Sequence, residues 1–261
     1  MTRIAAFGGV YSNHRALREV IRDARERGAE ALYCLGDLGA FGPHPDRVPP
    51  ILLEEDVRVV RGNYDDSLAR GLDDCQCGYT DPRDNHYARL SYRYTFRNTS
   101  ERWKSWMGTL PEDLRVRHGG REVLMCHGSP RRTNEFLWES ACSTDFLVHL
   151  AESHAAAVVL CTHTGLPWRR RLPGGRLFVN VGAVGRPAND GRTEVRYALL
   201  DFDDDRPPTV RFPAVGYDHE ALAEEMRAEG LPEPFVETIL TGWWTTCLEV
   251  LPARERARGR H

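Results

Sequence analysis

Short apolar runs punctuate this chain, and one segment carries a clear helical period. Residues 3–8, 31–35, 57–60, 123–126 and 156–161 are mainly apolar runs of four to six residues. Runs of that length with little alternation predict strands buried on both faces. Between the first two, Ala16, Leu17, Val20, Ile21 and Ala24 recur on one face of a 3.6-residue period, which predicts a helix over 13–28. Residues 71–110 are polar and aromatic, with Tyr79, Tyr87, Tyr92, Tyr94, Phe96, Trp103 and Trp106. They read as an insertion of loops and short helices, either a cap over the strand ends or a packing subdomain. Residues 176–181 and 194–202 read as a strand pair in a second sheet. Residues 218–230 and 234–242 read as helices split at Gly230-Leu231-Pro232, and 253–261 as an Arg-rich tail that frays. The pattern predicts an α/β fold in one domain over 1–252, with no internal repeat.

Most of the strand runs stop at residues that carry chemistry. Gly36-Asp37 follows the second run, Gly62-Asn63 the third, His127-Gly128 the fourth and Thr162-His163 the fifth. In layered α/β proteins sites are built outside the carboxyl ends of the strands. An isolated histidine on an apolar face is ordinarily a core residue; histidines that repeatedly follow strand ends beside glycine read as ligands.

Composition narrows the partners. The 261 residues are 41 % hydrophobic and 28 % charged, ordinary for a globular protein with a sizeable core. A formal net charge of -3 gives no global basic field, so no nucleic-acid partner is expected. The opening MTRIAAFGGVYSNH lacks the apolar length of a signal peptide, and no stretch approaches the ~18 apolar residues of a membrane span. A cytoplasmic location without a membrane partner is expected. Seven cysteines in a chain of this size argue against a disulfide framework, so most are expected to be reduced. Cys75-Gln76-Cys77 lacks the two-residue gap of common zinc and redox motifs.

Five segments come in a set order: Phe7-Gly8-Gly9-Val10-Tyr11-Ser12-Asn13, Leu35-Gly36-Asp37, Arg61-Gly62-Asn63-Tyr64-Asp65, Cys126-His127-Gly128-Ser129-Pro130 and Thr162-His163-Thr164-Gly165. The series resembles that of the calcineurin-like metallophosphoesterases: D-x-H, G-D, G-N-H-[DE], H-G-S-P and G-H-x-H. Gly42-Pro43 and Asn180-Val181-Gly182-Ala183-Val184-Gly185 add to the resemblance, which covers nearly the whole chain. It implies a two-sheet α/β/β/α sandwich and a pair of metal sites. For the second site the resemblance implies Asp37, Asn63, His127 and His163 as ligands, all present. For the first site it places Gly9, Tyr11 and Gly165 where an aspartate and two histidines are expected. The histidine of G-N-H falls on Tyr64, and the acid that orients it is kept as Asp65.

Losses concentrated on one site suggest a retained single-metal function. Two divalent cations ~4 Å apart repel by roughly 17 kcal/mol at an effective dielectric of ~20. Asp37 is the one carboxylate carried over to offset this, so a second metal is not expected to be held firmly. Substitute ligands to consider are Tyr11, His14 and Cys161, the last spaced to share a strand face with His163. Tyr64 is a candidate general acid, or a stacked aromatic under the cap. Arg131, Arg132 and Arg186 sit beside ligand loops and are candidates to clamp an anion. The Trp243-Trp244 pair reads as packing or a homodimer face. The expected cofactor is one divalent transition metal, zinc, manganese, iron or nickel. The expected activity is a phosphoesterase acting on a small phosphorylated or phosphodiester substrate. The alternatives are an inactive binding or scaffold protein on this fold, and a mononuclear metalloenzyme with other chemistry.

Overall fold

A computed structural model describes residues 1–204 and 206–259. β1 (Thr2–Phe7) leads into α1 (His14–Glu26), where Asn13 caps the helix by accepting the Ala16 N–H at 3.0 Å. β2 (Ala31–Cys34), α2 (Val48–Glu54), β3 (Arg58–Val59) and α3 (Asn63–Arg70) continue the alternation. The insertion follows as α4 (Pro82–Asn98) and α5 (Glu101–Gly108). β4 (Asp113–His118) and β5 (Arg121–Cys126) form a hairpin; its turn, Gly119-Gly120, uses φ of 51° and 67°, which glycine adopts without strain. Then come α6 (Thr144–Ser153), β6 (Val158–Cys161), β7 (Pro167–Leu172) and β8 (Arg176–Val181). The chain returns through β9 (Val195–Arg196), β10 (Ala198–Phe202), β11 (Thr209–Arg211) and β12 (Ala214–Val215). It closes with α7 (His219–Ala228), α8 (Glu233–Thr241) and α9 (Ala253–Arg258).

Two five-stranded sheets result, ordered β11-β10-β1-β2-β3 and β4-β5-β6-β8-β7. They pack face to face, and the two-residue period of each strand decides which side chains meet. Ile4, Ala6, Tyr33 and Leu35 from the first sheet meet Val123, Met125, Val158 and Leu160 from the second. The alternate positions face the helices: Ala5 and Phe7 share a core with α1, and Leu124, Cys126, Val159 and Cys161 share one with α6. The layers are therefore α/β/β/α. β1, β2 and β3 run parallel, as do β5, β6 and β8, so one edge of the sandwich collects the carboxyl ends that carry the motifs. No helix among the described residues is long and apolar enough to cross a membrane.

Three expectations are corrected. Residues 176–181 and 194–202 do not pair with each other: β8 lies between β6 and β7, whereas β10 runs antiparallel beside β1 in the first sheet. An apolar run states that a strand is buried, not which sheet buries it. The insertion is built around α4, a helix of 17 residues rather than short ones. The tail is not frayed at its start, because Ser140 N donates to the buried Glu255 carboxylate of α9 at 2.8 Å. Arg260 and His261 lie outside the described residues.

Candidate metal centre

The site is assembled from turns that follow strands. Asp37, just beyond β2, and His163, just beyond β6, both have left-handed backbones, with φ of 58° and 67°. Non-glycine residues hold that conformation only where the surroundings over-determine it. For Asp37 the constraint is visible. The buried Asp65 carboxylate accepts the N–H groups of Asp37 at 2.9 Å, Leu38 at 3.0 Å and Gly62 at 2.8 Å. Gly62 is required by closeness: a Cβ there would lie 2.4 Å from Asp37 Oδ1. Asn63 opens α3 directly behind it, and Asp37 Oδ1 accepts the Tyr64 N–H at 3.1 Å.

His127 is the pivot. Its Nε2 lies 3.2 Å from Asp37 Oδ2 and 3.1 Å from His163 Nδ1. Its Nδ1 donates to the Leu35 carbonyl at 2.6 Å, and His163 Nε2 donates to the Cys77 carbonyl at 3.2 Å. These bonds select tautomers in which His127 Nε2 and His163 Nδ1 both carry lone pairs. Two lone pairs and a carboxylate oxygen thus converge, and the ligand atoms all lie within 4.8 Å of one another. Such a set repels itself unless a cation or proton sits among it. Burial, reinforced by His127, pulls the His163 imidazole down to about 3, so it stays neutral as a ligand must. Burial would lower His127 too, but the Asp37 carboxylate overrides it and raises the group. Burial would raise the Asp37 carboxyl, yet His127 and His163 hold it below its usual range.

Asn63 is the fourth ligand that the resemblance implies. Its Nδ2 donates to the Cys75 carbonyl at 2.8 Å, while its Oδ1 is buried and without a hydrogen-bond partner among the described residues. Buried acceptors are rarely left unpaired. An orphaned amide oxygen, two imidazole nitrogens and a carboxylate fit a divalent transition metal.

Residues 75–77 cover this centre. Their successive carbonyls accept from Asn63 Nδ2, Asn134 Nδ2 at 2.7 Å and His163 Nε2. Gln76, at φ 51°, folds the segment back so that the cysteine Cα atoms stand 5.2 Å apart, and Cys75 and Cys77 form a disulfide. The other five cysteines are free, in keeping with the expectation that most are reduced. Beside the cover, Asn63 meets a cavity of about 330 Å³ that Arg61, Arg70 and Arg132 also line.

The first-site positions are filled. Gly9 has φ 52°, and a Cβ on it would lie 2.8 Å from the Tyr11 ring and 2.9 Å from Ala183 Cβ. A Cβ on Gly165 would lie 3.2 Å from Trp244 and 3.3 Å from an Arg186 Nη. Tyr11 is buried against Phe41, with its phenol raised first by burial and also by Asp37. Trp244 follows the α8 cap Gly242 rather than lying on the last helix; it is buried, with its ring beneath Arg186.

Several candidates lie away from the triad. Tyr64 donates to or accepts from Ser91 Oγ of α4 at 2.8 Å and packs on Tyr92, so its hydroxyl belongs to the insertion. Asp65 does not orient it; that carboxylate is taken up by the three backbone groups named above. His14 faces Arg47 and Glu225, at 3.2 Å and 3.7 Å. Cys161 faces the α6 core, because the strand ends there and the left-handed turn at His163 breaks the two-residue period. Arg131 pairs with Glu135 at the surface, and Arg132 Nε donates to Asn134 at 2.8 Å. The covering carbonyls and the Trp244 contact were not legible, because one acts through the backbone and the other through a packed ring, and neither leaves a side-chain ligand pattern.

The chain is thus a four-layer α/β/β/α sandwich with a buried imidazole–carboxylate cluster at its strand ends that could hold a metal ion. The model of the calcineurin-like phosphoesterase superfamily domain matches residues 3–205. The chain belongs to that superfamily. It is 25 % identical over 250 residues to an uncharacterized protein of Methanocaldococcus jannaschii, covering 92 % of this chain and 98 % of that one. The fold is similar to that of a hypothetical protein from Pyrococcus horikoshii, with a TM-score of 0.77, 21 % identity and coverage of 94 % and 100 %. It is also similar to a metallophosphoesterase from Sphaerobacter thermophilus, with a TM-score of 0.68, 24 % identity and coverage of 92 % and 99 %.

Proposed function

We propose that this protein is a phosphoesterase that uses one firmly held divalent metal and acts on a small phosphorylated or phosphodiester substrate. The convergence of His127 Nε2, His163 Nδ1 and Asp37 Oδ2 carries the reading, since neutral rings that keep both carbonyl bonds leave two lone pairs facing each other and a carboxylate. Asn63 supplies a fourth donor through its unpartnered Oδ1. When bound, the metal would supply Lewis-acid polarisation of a phosphoryl oxygen. The chain's own part is to orient and to exclude water. Leu35 and Cys77 carbonyls hold the two imidazoles in the ligand tautomer, and Asp65 fixes the backbone that carries Asp37. The cover of residues 75–77 keeps bulk solvent from the centre, which strengthens electrostatic interactions inside.

With Tyr64 tied to Ser91, protonation of the leaving group is left to solvent. Activated esters with good leaving groups should therefore be the better substrates. A panel of aryl phosphomonoesters and phosphodiesters, assayed on protein carrying the metal it retains on purification, tests this. Turnover that follows leaving-group acidity and vanishes in His127→Asn supports the reading. A metal-loaded protein inert to the whole panel would favour the second reading, an inactive binding protein, which the filled first-site positions also support.

A further inference from the structure

Arg186 is a buried cation without a counter-ion. The residue is 6 % exposed, and among the described residues no ion pair or hydrogen bond reaches its guanidinium, whose Nε is fully buried. It lies instead among aromatic faces, 3.5 Å from the centroid of Trp244, 5.3 Å from Phe41 and 5.6 Å from Tyr11. Stacking on rings offsets part of the desolvation of a guanidinium, but it satisfies none of its five N–H donors. A buried charge is normally paired. The Nε in particular is sealed from solvent and unbonded.

Its location gives the missing partner a chemistry. One Nη lies 3.3 Å from where a Cβ on Gly165 would stand, two residues from His163. Tyr11, whose ring fills the space over Gly9, forms another wall. The guanidinium therefore occupies the side of the centre where the first-site ligands are missing. A planar fork of donors beside a metal site matches a tetrahedral oxyanion, with oxygens available to both.

We propose that Arg186 is the second cation of this centre and that, with the Asp37–His127–His163 site, it forms a seat for a phosphate-type oxyanion. The ligand class is taken from the phosphoesterase reading; the seat itself rests on the unpaired guanidinium. The aromatic cage holds the charge in place without neutralising it, so it stays available to an anion. The cavity on the other side of Arg186, bounded by Phe41, Gly185 and Thr246, has a volume of only about 20 Å³, too small for an oxyanion, so the seat lies toward the centre.

The test is calorimetric titration of inorganic phosphate into protein carrying its retained metal. Natural protein, Arg186→Met and Arg186→Lys are compared, with metal content and circular dichroism recorded for each. Arg186→Met should keep its metal and bind phosphate at least ten-fold more weakly, with Arg186→Lys in between. Equal phosphate affinity in folded, metal-bearing Arg186→Met would overturn the proposal. If the methionine variant does not fold, Arg186→Lys and Arg186→Gln make the same comparison, and indifference of both to the change overturns it equally. Phosphate binding that depends on Arg186 in a protein inert to every phosphoester leaves the seat standing and removes the hydrolytic reading. Turnover with phosphate binding indifferent to Arg186 does the reverse.

Discussion

His127 Nε2 and His163 Nδ1 face each other at 3.1 Å, and each imidazole has its other nitrogen bonded to a backbone carbonyl. While neutral, neither ring can donate to the other without breaking one of those bonds. The pair is thus built to share a third party, and Asp37 makes that party a cation.

Removing one member should release it. His163→Ala and Asp37→Asn are each expected to lose the retained metal and to melt at lower temperature. A ligand at a hundred times its Kd stabilises a fold by about 2.7 kcal/mol, so loss of a firmly held metal should cost at least that much. The gap between natural and variant protein should shrink in excess chelator, because both are then metal-free. Either variant with full metal content would remove that residue from the ligand set.

Asp65 and Tyr64 should separate cleanly. An amide at position 65 would turn its nitrogen toward at least one of the N–H groups of Asp37, Leu38 and Gly62. Asp65→Asn is expected to lower stability to urea by about 1–3 kcal/mol, as an unsatisfied buried donor does. Tyr64→Phe loses one hydroxyl contact with Ser91 and should cost about 1 kcal/mol. Its turnover should change by no more than a few-fold. A fall of ~10²-fold or more would restore Tyr64 as a general acid.

The contrast between these two residues shows where sequence reading reaches and where it stops. Strand ends were legible because an apolar run and the Gly, Asp or His after it are neighbours in the chain. Asp37, His127 and His163 each follow such an end, so their meeting was readable from topology alone. The role of Tyr64 depends on Ser91 in α4, and that of Arg186 on Trp244 beyond α8; neither contact has a local signal. The same holds for β10, whose apolar pattern suits either sheet. Cys161 failed for a different reason: the two-residue rule applies only while the backbone stays extended, and His163 has left it.

The cover should govern metal exchange. Asn63 and His163 both bond carbonyls of the cystine loop, so freeing that loop removes a constraint on two donors at once. In Cys75→Ser/Cys77→Ser protein, metal transfer to a colorimetric chelator is expected to be at least several-fold faster than in the oxidised natural chain. An unchanged transfer rate would show that the loop is not a barrier.

His14 offers a pH test away from the centre. Burial pulls its imidazole down to about 4; Glu225 opposes the shift, while Arg47, Arg15 and His44 add to it. The unfolded chain takes up this proton near ~6.5. The stabilising contribution is therefore complete above ~6.5 and is lost as pH falls toward about 4. NMR titration of the His14 ring should give a midpoint well below the ordinary histidine value, and His14→Gln should flatten the loss of melting temperature across this window. A midpoint at the ordinary value would show that the ring is not enclosed by α1, Arg47 and α7.

The central claim is that one metal site is intact and the other is filled by protein. Gly9 and Gly165 offer no ligand, and the Tyr11 ring, Arg186 and Trp244 stand in their space. Elemental analysis of freshly purified protein, never exposed to chelator, measures this directly. Close to one equivalent of a transition metal per chain, retained through dialysis, is expected. Two equivalents that resist dialysis would contradict it, and so would none after growth in metal-supplemented medium.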